Sequence, residues 1–127
     1  MKLRFDKNSL RLRLKKSDIE KLRSNNSIHE NIPFLNGSFE YSLLIEPDQP
    51  EVSAHVAGQS IKVVIPSNIA ITWINNNEVG IYRTIHIDEN RKLELIIEKD
   101  FPCKEIPEVD QQDYFTPDDI PIPPNLC

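Results

Sequence analysis

The sequence predicts a mainly β (α+β) fold in which one strand-strand-helix-strand-strand unit occurs twice about a pseudo-twofold axis. Three observations carry that expectation. With Ser9 set on Ser60, a shift of 60 − 9 = 51, Asn8-Ser9-Leu10-Arg11-Leu12-Arg13-Leu14 falls on Gln59-Ser60-Ile61-Lys62-Val63-Val64-Ile65, and self-similarity of this kind marks an architecture. At the same shift Leu22 meets Trp73, Asn25-Asn26 meets Asn76-Asn77 and Ile28 meets Val79; at 98 − 46 = 52, Leu43-Leu44-Ile45-Glu46 falls on Leu95-Ile96-Ile97-Glu98. The second observation is period-two alternation in both copies, the mark of strands with one buried and one wet face. The third is a helix-start signal in the middle of each copy.

In order along the chain, Leu3 and Phe5 alternate with Lys2, Arg4 and Asp6, and Leu10, Leu12 and Leu14 with Arg11, Arg13 and Lys15. Asp6-Lys7-Asn8-Ser9 between them is turn chemistry, so the two form a hairpin. Ser17 followed by Glu20 has capping-box spacing and starts a short helix, with Ile19 and Leu22 as its apolar stripe and Asn25-Asn26 as its end. Residues 27–34 and 38–46 read as a second strand pair around Leu35-Asn36-Gly37-Ser38. In the second copy, Val52, Ala54 and Val56 lead through Ala57-Gly58-Gln59-Ser60 to Ile61, Val63 and Ile65. Pro66-Ser67-Asn68 then starts a helix. Its body, Ile69-Ala70-Ile71-Thr72-Trp73-Ile74, is β-branched and a poor helix former, but the cap and the repeat alignment outweigh propensity. Residues 79–87 and 92–99 close the copy around Asp88-Glu89-Asn90.

One such unit buries too little to stand alone, whereas two can close a barrel or a sandwich over a shared core. The expected organisation is a single duplicated domain over residues 1–103, with repeat 1 near 1–46 and repeat 2 near 52–99, followed by an acidic, Pro-rich tail over 104–127. That tail has no periodicity and reads as flexible or extended.

Composition is ordinary for a soluble chain, 39% apolar and 28% charged over 127 residues. No apolar run approaches the roughly 20 residues that span a bilayer, and no signal-like stretch opens the chain, so a cytoplasmic location is the default expectation. The net charge of −5 hides a division. In residues 104–127 Lys104 stands against Glu105, Glu108, Asp110, Asp113, Asp118 and Asp119, 1 − 6 = −5, while the first 25 residues hold nine Lys/Arg against three Asp/Glu. A basic front end thus faces an acidic tail.

Two resemblances sharpen the expectation. Gly58-Gln59-Ser60-Ile61-Lys62-Val63-Val64-Ile65-Pro66, followed by Glu78-Val79-Gly80-Ile81, resembles the AbrB/MazE-type swapped-hairpin family; in the first half Lys7-Asn8-Ser9 replaces the Gly-containing turn and Lys15 stands at the Pro66 position. The resemblance implies a swapped-hairpin-like barrel, formed here as a monomeric pseudo-dimer because both halves lie on one chain. It also implies DNA contact through a basic hairpin and an acidic extended segment that wraps a protein partner. The whole chain, through Lys2-x-Arg4, Asn8-Ser9-x-Arg11-Leu12-Arg13-Leu14 and Glu98-Lys99-Asp100-Phe101-x-Cys103, also resembles an uncharacterised bacterial family of short cytoplasmic proteins. That resemblance implies no activity.

Arg4, Lys7, Arg11, Arg13, Lys15 and Lys16 on the first hairpin and its exit are the candidate contacts for nucleic acid or an acidic partner. Their counterparts in the second copy are mostly uncharged (His55, Gly58, Val64, Pro66), which weakens a symmetric DNA reader; a solvated face that blocks edge pairing is the plain alternative. Asp110, Asp113, Tyr114, Phe115, Asp118 and Asp119 are the candidate protein contacts in the tail. Glu98, Asp100 and Cys103 form the one close cluster of reactive types, but carboxylates disfavour a thiolate. The three histidines, His29, His55 and His86, are scattered, and two cysteines without Cys-x-x-Cys spacing do not make a metal site. No phosphate loop, dinucleotide fingerprint or metalloprotease helix is present. Trp73 is expected in the core. The expected role is a non-enzymatic protein-binding or regulatory module without cofactor, its tail contacting a partner, a second copy or its own basic face; a DNA-binding regulator is the alternative.

Overall fold

Alternation becomes strands and the capped segments become helices in the order β1 (Lys2–Asp6), β2 (Ser9–Leu14), α1 (Lys16–Asn25), β3 (Ser27–Phe34), β4 (Gly37–Glu46), β5 (Ser53–Ala57), β6 (Ser60–Pro66), α2 (Ser67–Asn75), β7 (Gly80–His86) and β8 (Lys92–Lys99). The computed structural model describes residues 1–101 and 113–116. Helix α2 forms despite its β-branched content because Pro66 enters at its N-cap and Ala70 and Trp73 bury one face. Helix α1 starts differently from expectation. Lys15 is its N-cap, and Asp18 accepts the Lys15 backbone N–H at 3.0 Å. The anticipated Ser17–Glu20 box is therefore not the one used, since Glu20 pairs outward with Arg23.

The expected barrel does not form. Among the described residues eight strands make two separate four-stranded sheets, ordered β1-β2-β8-β7 and β3-β4-β6-β5. Each sheet takes one hairpin from each half and joins them by a parallel pair, β2 with β8 and β4 with β6. The outer strands β1, β7, β3 and β5 stay as edges. Closure would require those edges to pair, and β1 offers Lys2, Arg4 and Asp6 while β3 carries Pro33, features that block edge pairing. The result is a mixed α+β fold of two internally similar open sheets.

Register corrects the repeat alignment as well. Leu12 lies beside Ile97 and its repeat equivalent Val63 beside Leu43, so Leu43 corresponds to Ile97 at 97 − 43 = 54, two residues beyond the 52 read from sequence. Ile28 and Ile81, which face those residues, correspond at 81 − 28 = 53 rather than 51. The slip has a local cause. Asn26 alone, in left-handed conformation, links α1 to β3, whereas residues 76–79 link α2 to β7.

The core lies between the sheets and under the helices. Leu12, Leu14, Leu22, Leu43, Ile65, Trp73, Leu95 and Ile97 are among its fully buried large side chains. Helix α1 packs on β2 and β3, and α2 on β6 and β4. Trp73 satisfies its indole N–H on the Val79 carbonyl at 3.2 Å, as a buried indole requires.

Candidate functional site

The first four N–H groups of a helix have no partner within it, and at α1 a segment from the far end of the chain supplies one. The Asp113 carbonyl accepts the Lys16 N–H at 2.9 Å; its carboxylate accepts the Ser17 N–H at 2.9 Å and the Ser17 hydroxyl at 2.8 Å. Lys15 Nζ stands 3.7 Å from the same carboxylate. Burial alone would raise the Asp113 pKa, but the Ser17 bonds and the Lys15 charge outweigh it and hold the carboxyl below the ordinary range. A carboxylate at a helix N-terminus is favoured by the helix dipole as well.

Tyr114 and Phe115 complete the contact. The Tyr114 ring lies 5.0 Å from Lys2 Nζ and 5.6 Å from Lys15 Nζ, and Lys2 donates to the Tyr114 hydroxyl at 3.2 Å. Lys2 also pairs with the buried Asp100 at 3.0 Å. Burial works against the Lys2 ammonium, yet Tyr114 and Asp100 raise its pKa overall. Phe115 is buried against Phe101 at 5.9 Å between centroids, and its N–H donates to the Asp100 carbonyl at 2.9 Å. The candidates Lys15, Lys16, Asp113, Tyr114 and Phe115 thus meet at one place.

The remaining basic candidates divide. Arg11 Nε sits 3.2 Å and Arg13 Nε 3.9 Å from Oε1 of the buried Glu98, while Tyr82 donates its hydroxyl to Glu98 Oε2 at 2.9 Å. The Arg11–Glu98 contact is a charge pairing without hydrogen-bond alignment, since Arg11 Nε and Glu98 Oε1 have no hydrogen-bond partner among the described residues. Burial, then the Glu98 bond, pushes the Tyr82 phenol up to about 12. Gly80 makes this arrangement possible. A Cβ there would fall 2.7 Å from the Ile97 carbonyl oxygen and 2.9 Å from Glu98 Cγ. Arg4 and Lys7 are exposed, Lys7 at the hairpin turn with φ +53°.

Beyond Phe115 a cleft of about 390 Å³ opens between α1 and the end of α2, with Lys16, Ile19, Arg23, Asn76 and Lys99 in its wall. Lys99 is buried and donates to the Trp73 and Asn76 carbonyls at 2.8 and 2.9 Å. Burial lowers its pKa, with Glu78 opposing and Arg23 adding.

Sequence reasoning missed the three charges Glu98, Lys99 and Asp100 as organisers of the basic face. Their signal was present, because three consecutive charges end a strand whose preceding residues are apolar. Asp110, Asp118, Asp119 and Cys103 lie outside the described residues. Among the described residues no group of three His, Cys, Asp or Glu side chains is placed to hold a metal ion. His29 bonds Ser42 and His55 bonds Ser53, on the two outer strands of the β3-β4-β6-β5 sheet. Among the described residues no helix is long and apolar enough to cross a membrane.

No curated protein and no solved structure matches the chain. One family model, described as a family of unknown function (DUF7009), matches residues 1–119 and so runs through the docked segment. The chain belongs to that family.

Proposed function

We propose that this protein is a non-enzymatic binding module of the cytoplasm whose acidic-aromatic segment, Asp113–Thr116, and basic front end form one recognition surface for a protein partner. The observation that carries the reading is the seating of Asp113 on the α1 N-terminus with Tyr114 between Lys2 and Lys15. An extended ligand fixed by a carboxylate cap and an aromatic anchor follows the general logic of peptide recognition. A partner would either read the composite face or present an equivalent Asp-aromatic segment in place of the protein's own.

The test uses the full chain carrying Asp113→Asn and Phe115→Ala. A synthetic peptide of residues 110–119 added to that variant is expected to restore hydrogen-exchange protection to the Ser17 amide, and absence of saturable binding would sink the proposal. Arg4 and Lys7, which have no ion pair among the described residues, favour the DNA alternative. Random duplex DNA separates the two, since phosphate contacts make affinity fall steeply with salt. Tight, salt-dependent binding by the intact chain would shift the reading to a DNA-binding regulator.

A further inference from the structure

Four strands end the two sheets as edges, and three of them carry a device against pairing. β1 has Lys2, Arg4 and Asp6, β3 has Glu30 and Pro33, and β7 has Arg83 at its centre. β5, Ser53-Ala54-His55-Val56-Ala57, has no Asp, Glu, Lys, Arg or Pro. Its outer side is also ready to bond. The two-residue turn Gly58-Gln59 makes Ala57 and Ser60 the hydrogen-bonded closing pair. By alternation His55 and Ser53 bond β6 as well, so Ala54 and Val56 direct their N–H and C=O groups away from the sheet.

The repeat supplies a comparison. Residues 31–39 and 52–61 contain no Asp, Glu, Lys or Arg, in a chain that is 28% charged. The two stretches meet at one end of the β3-β4-β6-β5 sheet. There the Gln59 carbonyl accepts the Glu40 N–H at 3.0 Å, and Phe34, Phe39 and Gln59 line one groove. Phe34, Leu35 and Val56 are exposed at this end. The equivalent stretches of the other sheet, 1–10 and 84–93, hold four charged residues each. The fold thus accepts charge at these positions, and one end has none. Charge depletion with aromatic and aliphatic side chains is the composition of an interface core.

Charge also selects the occupant. Glu30, Glu40 and Glu51 against Lys62 border the uncharged stretches. An anionic membrane or a nucleic acid would meet those carboxylates first. Two copies of a chain with net charge −5 repel through their charged faces, so the uncharged margin is where they can approach. β5 is complementary to itself as well. Set antiparallel to a second copy about His55, Ala54 of one copy lies opposite Val56 of the other, small against large. Those two positions are the ones whose backbone groups point outward.

We infer that β5 is a dimerisation edge: two copies pair β5 with β5 about a twofold axis at His55 and join their four-stranded β3-β4-β6-β5 sheets into one continuous sheet. An isologous contact of this kind closes after two chains. It shares no residue with the recognition surface proposed above.

The test is sedimentation equilibrium of the full chain between about 1 μM and 1 mM, with amide hydrogen exchange at both ends of that range. The expected result is a reversible monomer–dimer equilibrium in which the Ala54 and Val56 amides are protected at high concentration and exchange fast at low. Val56→Pro removes an N–H that turns away from β6, a place where an edge strand accepts proline. It should weaken the dimer at least about tenfold, through loss of two symmetry-related bonds. His55→Glu sets two carboxylates opposite each other at the axis and should weaken it too, which keeps the proposal refutable if the proline variant fails to fold. Phe5→Glu adds a carboxylate on β1 at the repeat equivalent of Val56, 56 − 5 = 51, and should leave the equilibrium unchanged. A monomer across the whole range, a dimer equally stable in both β5 variants, or a dimer with unprotected Ala54 and Val56 amides would each overturn the inference. So would a monomer that instead binds phosphatidylcholine vesicles through Phe34 and Leu35.

Discussion

Replacing Phe115 by alanine should release the segment 113–116 while leaving the two sheets folded. Burying a phenylalanine is worth about 1.5–3 kcal/mol, and the ring pair with Phe101 adds about 0.5–1.5 kcal/mol. Two backbone hydrogen bonds contribute roughly 1 kcal/mol each, and the charged Asp113 contacts on Ser17 about 1.5–3 kcal/mol. Against these stands the ordering of four residues, about 1–2 kcal/mol apiece. The difference leaves a docking free energy on the order of 2 kcal/mol, which is less than the ring supplies. Loss of the ring therefore undocks the segment, and the global cost is capped near that 2 kcal/mol instead of the roughly 3–5 kcal/mol of a core Phe→Ala change. Hydrogen exchange at the Lys16 and Ser17 amides reads the event directly. Both are first-turn N–H groups with no partner inside α1, and both donate to Asp113. Their protection should fall roughly thirtyfold, the factor equivalent to about 2 kcal/mol, while amides in β2 and β8 keep theirs. Unchanged protection at Lys16 and Ser17, or equal loss throughout β8, would refute the account of the segment as a separately docking unit.

Four further outcomes follow from the same geometry. Because the folded Asp113 carboxyl is held below its ordinary pKa, its contribution should be complete above the ordinary carboxylate range and lost as pH falls through the lowered value; Asp113→Asn should abolish that acid-side dependence in Ser17 exchange. Gly58→Ala should cost about 1 kcal/mol in chemical denaturation, a purely backbone penalty for φ +58° with nothing within 4 Å. Gly80→Ala should cost more, about 1–3 kcal/mol, because its Cβ has no room beside Ile97 and Glu98. Tyr82 should titrate near 12 by ultraviolet absorbance, and Glu98→Gln should bring it back toward the ordinary phenol range, since the carboxylate would no longer oppose phenolate formation.

The strands and helices were legible because each is written in local periodicity. Leu10, Leu12 and Leu14 declare a half-buried strand without knowledge of its neighbour, and Pro66-Ser67 declares a helix start that overrides a mostly β-branched stretch. What was not legible is pairing. Nothing in residues 9–14 says that β2 lies parallel to β8 rather than beside its own half's second hairpin. The repeat alignment slipped by two because Leu43-Leu44-Ile45-Glu46 and Leu95-Ile96-Ile97-Glu98 match so well that the extra residues of the 76–79 linker went unnoticed. The site was half visible. Charge division pointed to the basic hairpin and to Asp113-Tyr114-Phe115, an aromatic pair out of place in an acidic, Pro-rich stretch. The pairing of Arg11 and Arg13 with the one Glu98 carboxylate, and of Lys2 with Asp100, depends on contacts across most of the chain, and no local pattern encodes those.

Duplication followed by divergence offers a way to weigh these charges that a single domain would not. A buried ion pair is weak evidence of stabilisation, because well-packed apolar residues of similar size often do as well. Here the comparison exists inside one molecule. Arg13 beside Glu98 on one sheet corresponds to Val64 beside Leu44 on the other, and Lys99 corresponds to Ile45, so the same scaffold holds its second side with the apolar solution. Lys2, Lys15, Lys16 and Lys99 gather around the α1 N-terminus and the docked segment. The two sides do not face the same packing problem, because Lys99 donates to the Trp73 and Asn76 carbonyls, which an isoleucine cannot, and the docked segment packs on one side. On the function proposed above, recognition on that side alone accounts for the rest of the asymmetry.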